Sequence, residues 1–142
     1  FLTPNPDMTL TVPAATENVI TFGGYDNVTN AFYPKSGRGF TRENRIKPDL
    51  TAPAVNVYGP GISGGYIRRT GTSVACALGA GACAQILQWG IVEDNEPYMK
   101  NNYIKNYLIR GAERNRDIRY PSEKWGYGTI NVFDSFLILT RT

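Results

Sequence analysis

The chain has 142 residues, the size of one ordinary domain with a core of its own. A composition of 42% hydrophobic and 19% charged residues is that of a globular protein and excludes a disordered tail. The net charge is +3, and there is no histidine, which removes the commonest general base and the commonest metal ligand.

In chain order, the sequence opens at Phe1 without a charged and apolar leader, a start that predicts a piece of a longer protein. Residues 1–18 are rich in Pro, Thr and Asn and read as loop, with a short extended piece at Thr9–Val12. Val19–Phe22, closed by Gly23 and Gly24, predicts a strand buried on both faces. A long polar connection follows, of a length that is usually functional or pinned. Its Arg38, Arg42, Arg45 and Lys47 are broken by Glu43 and Asp49 and lack interleaved aromatics, so they read as a solvated loop and not as a nucleic-acid surface.

Two short extended pieces flank Pro53, and "GGYIRRTG" predicts another strand ending at Gly71. Thr70 to Val92 is uncharged, and the acidic "EDNE" turn follows it. "NNYIKNYLIRG" predicts an amphipathic helix with Asn101 as its cap and Gly111 past its last turn. "NVFDSFLIL" predicts a last helix, with Asn131 as N-cap and Asp134 three residues on. Short buried strands alternating with helices indicate an α/β fold with a mainly parallel sheet.

The stretch from Thr70 to Val92 is long enough to span a membrane, but it holds Gly79, Gly81, Gly90, Gln85 and Gln88 and few large apolar residues. A central helix packed on all sides fits it better. Cys76 and Cys83 stand seven apart on that helix, a rise of about 10 Å, too far for a disulfide. They read as small buried hydrophobes. At the head of the helix Ser73 has two readings. It is an ordinary N-cap, with Thr72 or Ser73 accepting from a free amide, or it is a nucleophile beside the unpaired amides and positive dipole of the helix start.

The surrounding residues separate these readings. "VITFGGYD", "RIKPDLTAP", "GTSVA" and "WGYGTINV", in this order over about residues 17–137, resemble the C-terminal part of subtilisin-like (subtilase) serine proteases. "LQWGIV", "YLIRGA" and "WGYG" are similar to a bacterial, clostridial-type branch related to spore-germination proteases, in which a β-rich insert precedes this part.

The resemblance implies a doubly wound, mainly parallel α/β sheet with a buried central helix. It makes Ser73 the catalytic nucleophile and its own amide one oxyanion donor. Gly71 and Thr72 shape the approach, Thr9 and Thr11 in "TLTVP" contribute to the substrate wall, and Asp49 in the "KPD" turn is structural. Ala77 stands where the family has proline, Ala52-Pro53-Ala54 replaces Ala-Pro-Gly, and "SGRG" replaces Ser-Ser-Arg-Gly. The family's histidine base, its aspartate and its oxyanion asparagine all lie N-terminal to this part. The reading is therefore a serine endopeptidase whose partners are a peptide substrate and the N-terminal remainder of its catalytic domain, and this chain alone is inactive.

No cofactor, metal or nucleic acid is implied, and an exported or spore-associated location follows from the family only. "GYDN" and "EDNE" read as solvated acidic turns and not as calcium loops. "GISGG" lacks the ending of a phosphate loop, and Trp89 and Trp125 read as packing anchors. The alternatives are a pseudoprotease kept as a regulatory module and a self-standing associating domain.

Overall fold

The computed structural model describes residue 3 and residues 5–141. Its elements are β1 (Phe22–Asp26), β2 (Ala31–Phe32), β3 (Leu50–Pro53), β4 (Val57–Pro60), β5 (Tyr66–Arg69), α1 (Thr72–Leu87), α2 (Asn101–Arg110) and α3 (Val132–Leu139). α1 runs directly into a wider π turn, Gln88–Val92.

β1 begins where the sequence predicted the strand to end. Gly23 and Gly24, read as its terminators, lie inside it because the neighbouring chain comes too close for side chains. A Cβ on Gly24 would lie 2.6 Å from the Ala54 Cβ. Thr9–Val12 is no strand either. Thr9 instead clamps one residue, its amide donating to the Arg38 carbonyl at 2.9 Å and its Oγ1 accepting from the Arg38 amide at 3.0 Å.

The sheet has the order β2-β1-β3. β1 and β3 are parallel, from Phe22 opposite Leu50 to Tyr25 opposite Pro53, and Thr129 continues the parallel set with a bridge to Thr51. β2 is antiparallel to β1, and β4 and β5 form a separate antiparallel hairpin.

α1 lies on β1 and β3 through Ala75, Gly79, Ala82 and Ile86, all buried. Their spacing of i, i+4, i+7 and i+11 is one helical stripe. Gly79 is needed there because a Cβ would run into the Phe22 ring. By length and composition the 21 residues Thr72–Val92 would suffice to cross a membrane, yet this stripe is taken up by the chain's own sheet.

The opposite face of α1, with Ser73, Cys76, Ala77, Leu78, Ala80, Gly81 and Ala84, is exposed. The helix expected to be packed on all sides is thus covered on one side by the described residues. Cys76 is exposed, not buried as predicted, and Cys83 is half-buried; both are free thiols. Burial pushes the Cys83 thiol above its usual range, with a smaller contribution from Cys76.

The main core joins Leu50, Ala82, Ile86, Ile104, Leu108 and Leu139, so α2 and α3 pack with α1 and β3. Lys100 and not Asn101 is the N-cap of α2, because the Asn101 amide group is drawn away to donate to the Asn18 carbonyl at 2.8 Å. Asn131 does cap α3, accepting from the Asp134 amide at 3.0 Å and donating to its carboxylate at 2.8 Å.

Candidate active site

The end of β3 sets the start of α1. Ala54, just past β3, accepts from the Gly71 amide at 2.8 Å and donates to the Tyr25 carbonyl at 2.8 Å. The helix N-terminus is thereby tied to the C-terminal ends of β1 and β3, where α/β sheets place their ligands. Gly71 is the N-cap with φ 154°, a conformation that side chains rarely adopt.

No side chain caps α1, so neither Thr72 nor Ser73 does the bland work of an N-cap. Ser73 is exposed, and among the described residues its hydroxyl has no hydrogen-bond partner. The amides of Thr72 and Ser73 belong to the first turn, whose donors a helix cannot satisfy itself. An unengaged hydroxyl thus sits among free donors at the positive end of a 16-residue helix.

Two hollows meet this point. A groove of about 390 Å³ is lined by Ser73, Val74 and Ala77 of α1 and by Val57, Gly59 and Arg69 of the hairpin. A smaller cavity of about 160 Å³ is lined by Thr9, Thr11, Thr72, Phe22, Ser36 and Gly37, among others. The structure therefore gathers Thr9, Thr11 and Thr72 around one cavity, with Gly71 and Ser73 next along the chain from Thr72.

Sequence reasoning missed Ser36 as part of this cavity, although "SGRG" had drawn notice as a departure. Ser36 is 5% exposed, and its hydroxyl accepts from the Gly24 amide at 3.0 Å. A lone serine in a polar loop gives no signal of that bond, which spans twelve residues. Among the described residues, Arg69 is the sole ionisable side chain lining the groove. A guanidinium is too basic to accept the serine proton, so the lining offers no base to Ser73.

Beneath the site lies a buried charge cluster. Asp49 is 1% exposed and accepts at 2.7 Å from both the Thr21 amide and the Lys47 ammonium, itself 2% exposed. The Lys105 ammonium stands 2.6 Å from the other carboxylate oxygen, an ion-pair contact without hydrogen-bond geometry. Burial pulls the Lys47 pKa down, and Asp49 opposes that shift. The cluster joins the entries of β1 and β3 to α2, and none of its three charged side chains lines the groove at Ser73. In "GYDN", Asp26 serves its own turn, its carboxylate accepting from the Val28 amide at 2.9 Å.

The family model described as "Subtilase family" matches residues 3–128. The chain belongs to the subtilase family. Among solved structures it is similar to the CspB protease of Clostridium perfringens, with TM-score 0.94 and 37% identity over 99% of this chain and 31% of that one. It is also similar to pyrolysin of Pyrococcus furiosus, 32% identical over 83% of this chain and 9% of that protein. The serine protease AprX of Bacillus subtilis is 28% identical over 92% of this chain and 32% of its own length. The chain thus spans a third or less of the length of these relatives.

The subtilase assignment gives its departures a local meaning. Ala54, where the resemblance expects glycine, has its methyl in the space that Gly24 leaves open. Ala77, where the resemblance expects proline, lines the groove one turn beyond Ser73.

Proposed function

We propose that the protein containing this chain is a serine endopeptidase with Ser73 as its nucleophile. The observation that supports this best is the Ser73 hydroxyl, free of partners at the head of α1, beside unpaired first-turn amides. In the reaction the Ser73 oxygen attacks the scissile carbonyl, and its proton passes to a base. The carbonyl oxygen gains the negative charge and is met by the Ser73 amide, the sort of preorganised donor worth about 3–4 kcal/mol in acyl transfer. The tetrahedral adduct collapses to an acyl-enzyme as the amine leaves with the proton, and water then hydrolyses the ester.

A histidine-free chain cannot supply the usual base. The base and its orienting carboxylate therefore come from residues outside these 142, on a segment that covers the exposed face of α1. Thr9, Thr11 and Thr72 line the place for a substrate side chain, and Gly71 gives the approach its backbone shape. The chain alone does not hydrolyse peptides.

The test treats the full-length protein with a fluorophosphonate probe and maps the modified peptide by mass. Labelling is expected at Ser73, lost in Ser73→Ala and absent from the isolated 142-residue chain. A folded full-length protein that stays unlabelled would replace this reading with a pseudoprotease. Labelling of the isolated chain would refute the argument from the missing base.

A further inference from the structure

Alternation along β1 sends Phe22 and Gly24 toward α1 and Thr72, and Tyr25 to the other face of the sheet. On that other face lies a cavity of about 220 Å³, walled by Tyr25, Tyr120 and Trp125 and edged by Asn30, Asn115 and Glu113. The Trp125 indole is held in place by Tyr25, with ring centroids 5.9 Å apart, and by Phe32 at 6.0 Å. Glu113 is fixed through its backbone, which exchanges two hydrogen bonds of 2.9 Å with Thr129.

The Glu113 carboxylate has neither an ion pair nor a hydrogen bond among the described residues. The nearest cation in sequence, Arg114, is turned away and donates to the carbonyls of Ile109 at 2.6 Å and Ala112 at 3.3 Å. The Tyr120 hydroxyl accepts from the Asn115 amide at 3.3 Å, which holds that ring against the loop. Aromatic faces beside an unanswered carboxylate attract a cation from two sides at once. Glu113 is exposed, so water is what now answers its charge, and an anion would be repelled there.

We propose that this cavity is a binding site for an organic cation, the ammonium or guanidinium head of a lysine or arginine side chain or of a free amine. Its volume is below the roughly 300–1,000 Å³ of pockets for drug-sized ligands, so it takes one head group and not a peptide. The negative field in the cavity is felt by its own wall: burial, and then Glu113, push the Tyr25 phenol above its usual pKa. The same aromatic cluster already draws two cations to its outer ring, Arg38 at 5.4 Å and Lys124 at 6.0 Å from the Phe32 centroid.

Titration calorimetry on the full-length protein tests this with four probes: choline, its neutral isostere 3,3-dimethylbutanol, Nα-acetyl-lysine methylamide and a short Gly-Lys-Gly peptide. The cations should bind at least about tenfold more tightly than the neutral isostere, and Glu113→Gln should remove about tenfold of that affinity. Trp125→Leu should abolish binding; because Trp125 also packs, Tyr120→Leu serves as a second wall variant, with thermal melts confirming that both fold. Equal binding of cation and isostere, no binding of any cation, or an unchanged Glu113→Gln would each overturn the proposal. Choline binding as tightly as the peptide would assign the site to free amines, and a tighter peptide would assign it to a basic protein segment.

Discussion

Replacing Asp49 by asparagine would show how much the charge cluster under the site contributes. Asp49→Asn keeps the shape and one carbonyl oxygen for the Thr21 amide, but it withdraws the negative charge that Lys47 and Lys105 share. Removing one partner of a buried pair costs about 3–5 kcal/mol. Lys105 can swing to solvent, being 22% exposed, whereas Lys47 at 2% cannot. Lys47 would still donate to the Val19 carbonyl at 2.6 Å, which places the loss near the lower end, about 3 kcal/mol.

The cost should also depend on pH with a definite sign. The folded pKa of Lys47 already lies below its ordinary value of 10.5 through burial. Between the two pKa values the unfolded chain holds more protons than the native one, so this residue makes stability rise with pH there. Without Asp49 the folded pKa drops further and that window widens downward. The deficit of the variant is therefore largest at neutral pH and shrinks as pH climbs toward 10.5, where a neutral lysine needs no counter-charge. Guanidinium unfolding of the full-length protein at pH 7 and pH 10 measures both. A deficit under about 1 kcal/mol at pH 7, where a buried pair should cost several, would refute the reasoning. So would a deficit that grows with pH.

Two further outcomes follow from other contacts. Gly79→Val places a branched side chain against the Phe22 ring and should destabilise by about 1–3 kcal/mol or more. Gly81→Val, on the open face where a Cβ meets nothing, is the control in the isolated chain's denaturant curve, and equal losses at both would contradict the packing described. Asp26 is held below the usual carboxylate range chiefly by the Val28 amide. Its stabilisation is present above its unfolded value of 3.8 and disappears as pH falls through the folded one. Asp26→Asn should therefore be less stable than the parent at pH 7 and equal to it in strong acid; parallel acid-unfolding curves would contradict this.

Much of this architecture was legible because local chemistry and tertiary packing agree. The Asn131 and Asp134 pair, the strand before Gly71 and the three helices all carry signals within a few residues of themselves. The misreadings arise where distant residues decide. Gly23 and Gly24 look like strand ends until Ala54 and Thr51 are placed against them. Asn101 looks like a cap until Asn18 competes for it, 83 residues away in sequence. The place of Ser73 at the head of a helix was legible and the groove around it was not, since Val57, Gly59 and Arg69 reach Ser73 only once β4 and β5 pair.

The open face of α1 connects the missing base to the missing packing. Ser73, Ala77, Ala80 and Ala84 fall at i, i+4, i+7 and i+11, the same spacing as the buried stripe but on the opposite side. Side chains that small let another backbone approach closely, and they offer too little area to hold it by burial alone. A segment that covered this face along the whole helix would have its end nearest Ser73 over the groove. On the proposed function, one segment would fill the packing of α1 and carry the base, so catalysis would be coupled to the completion of the core. A helix face of alanine and glycine is then a requirement of the chemistry as well as of the fold.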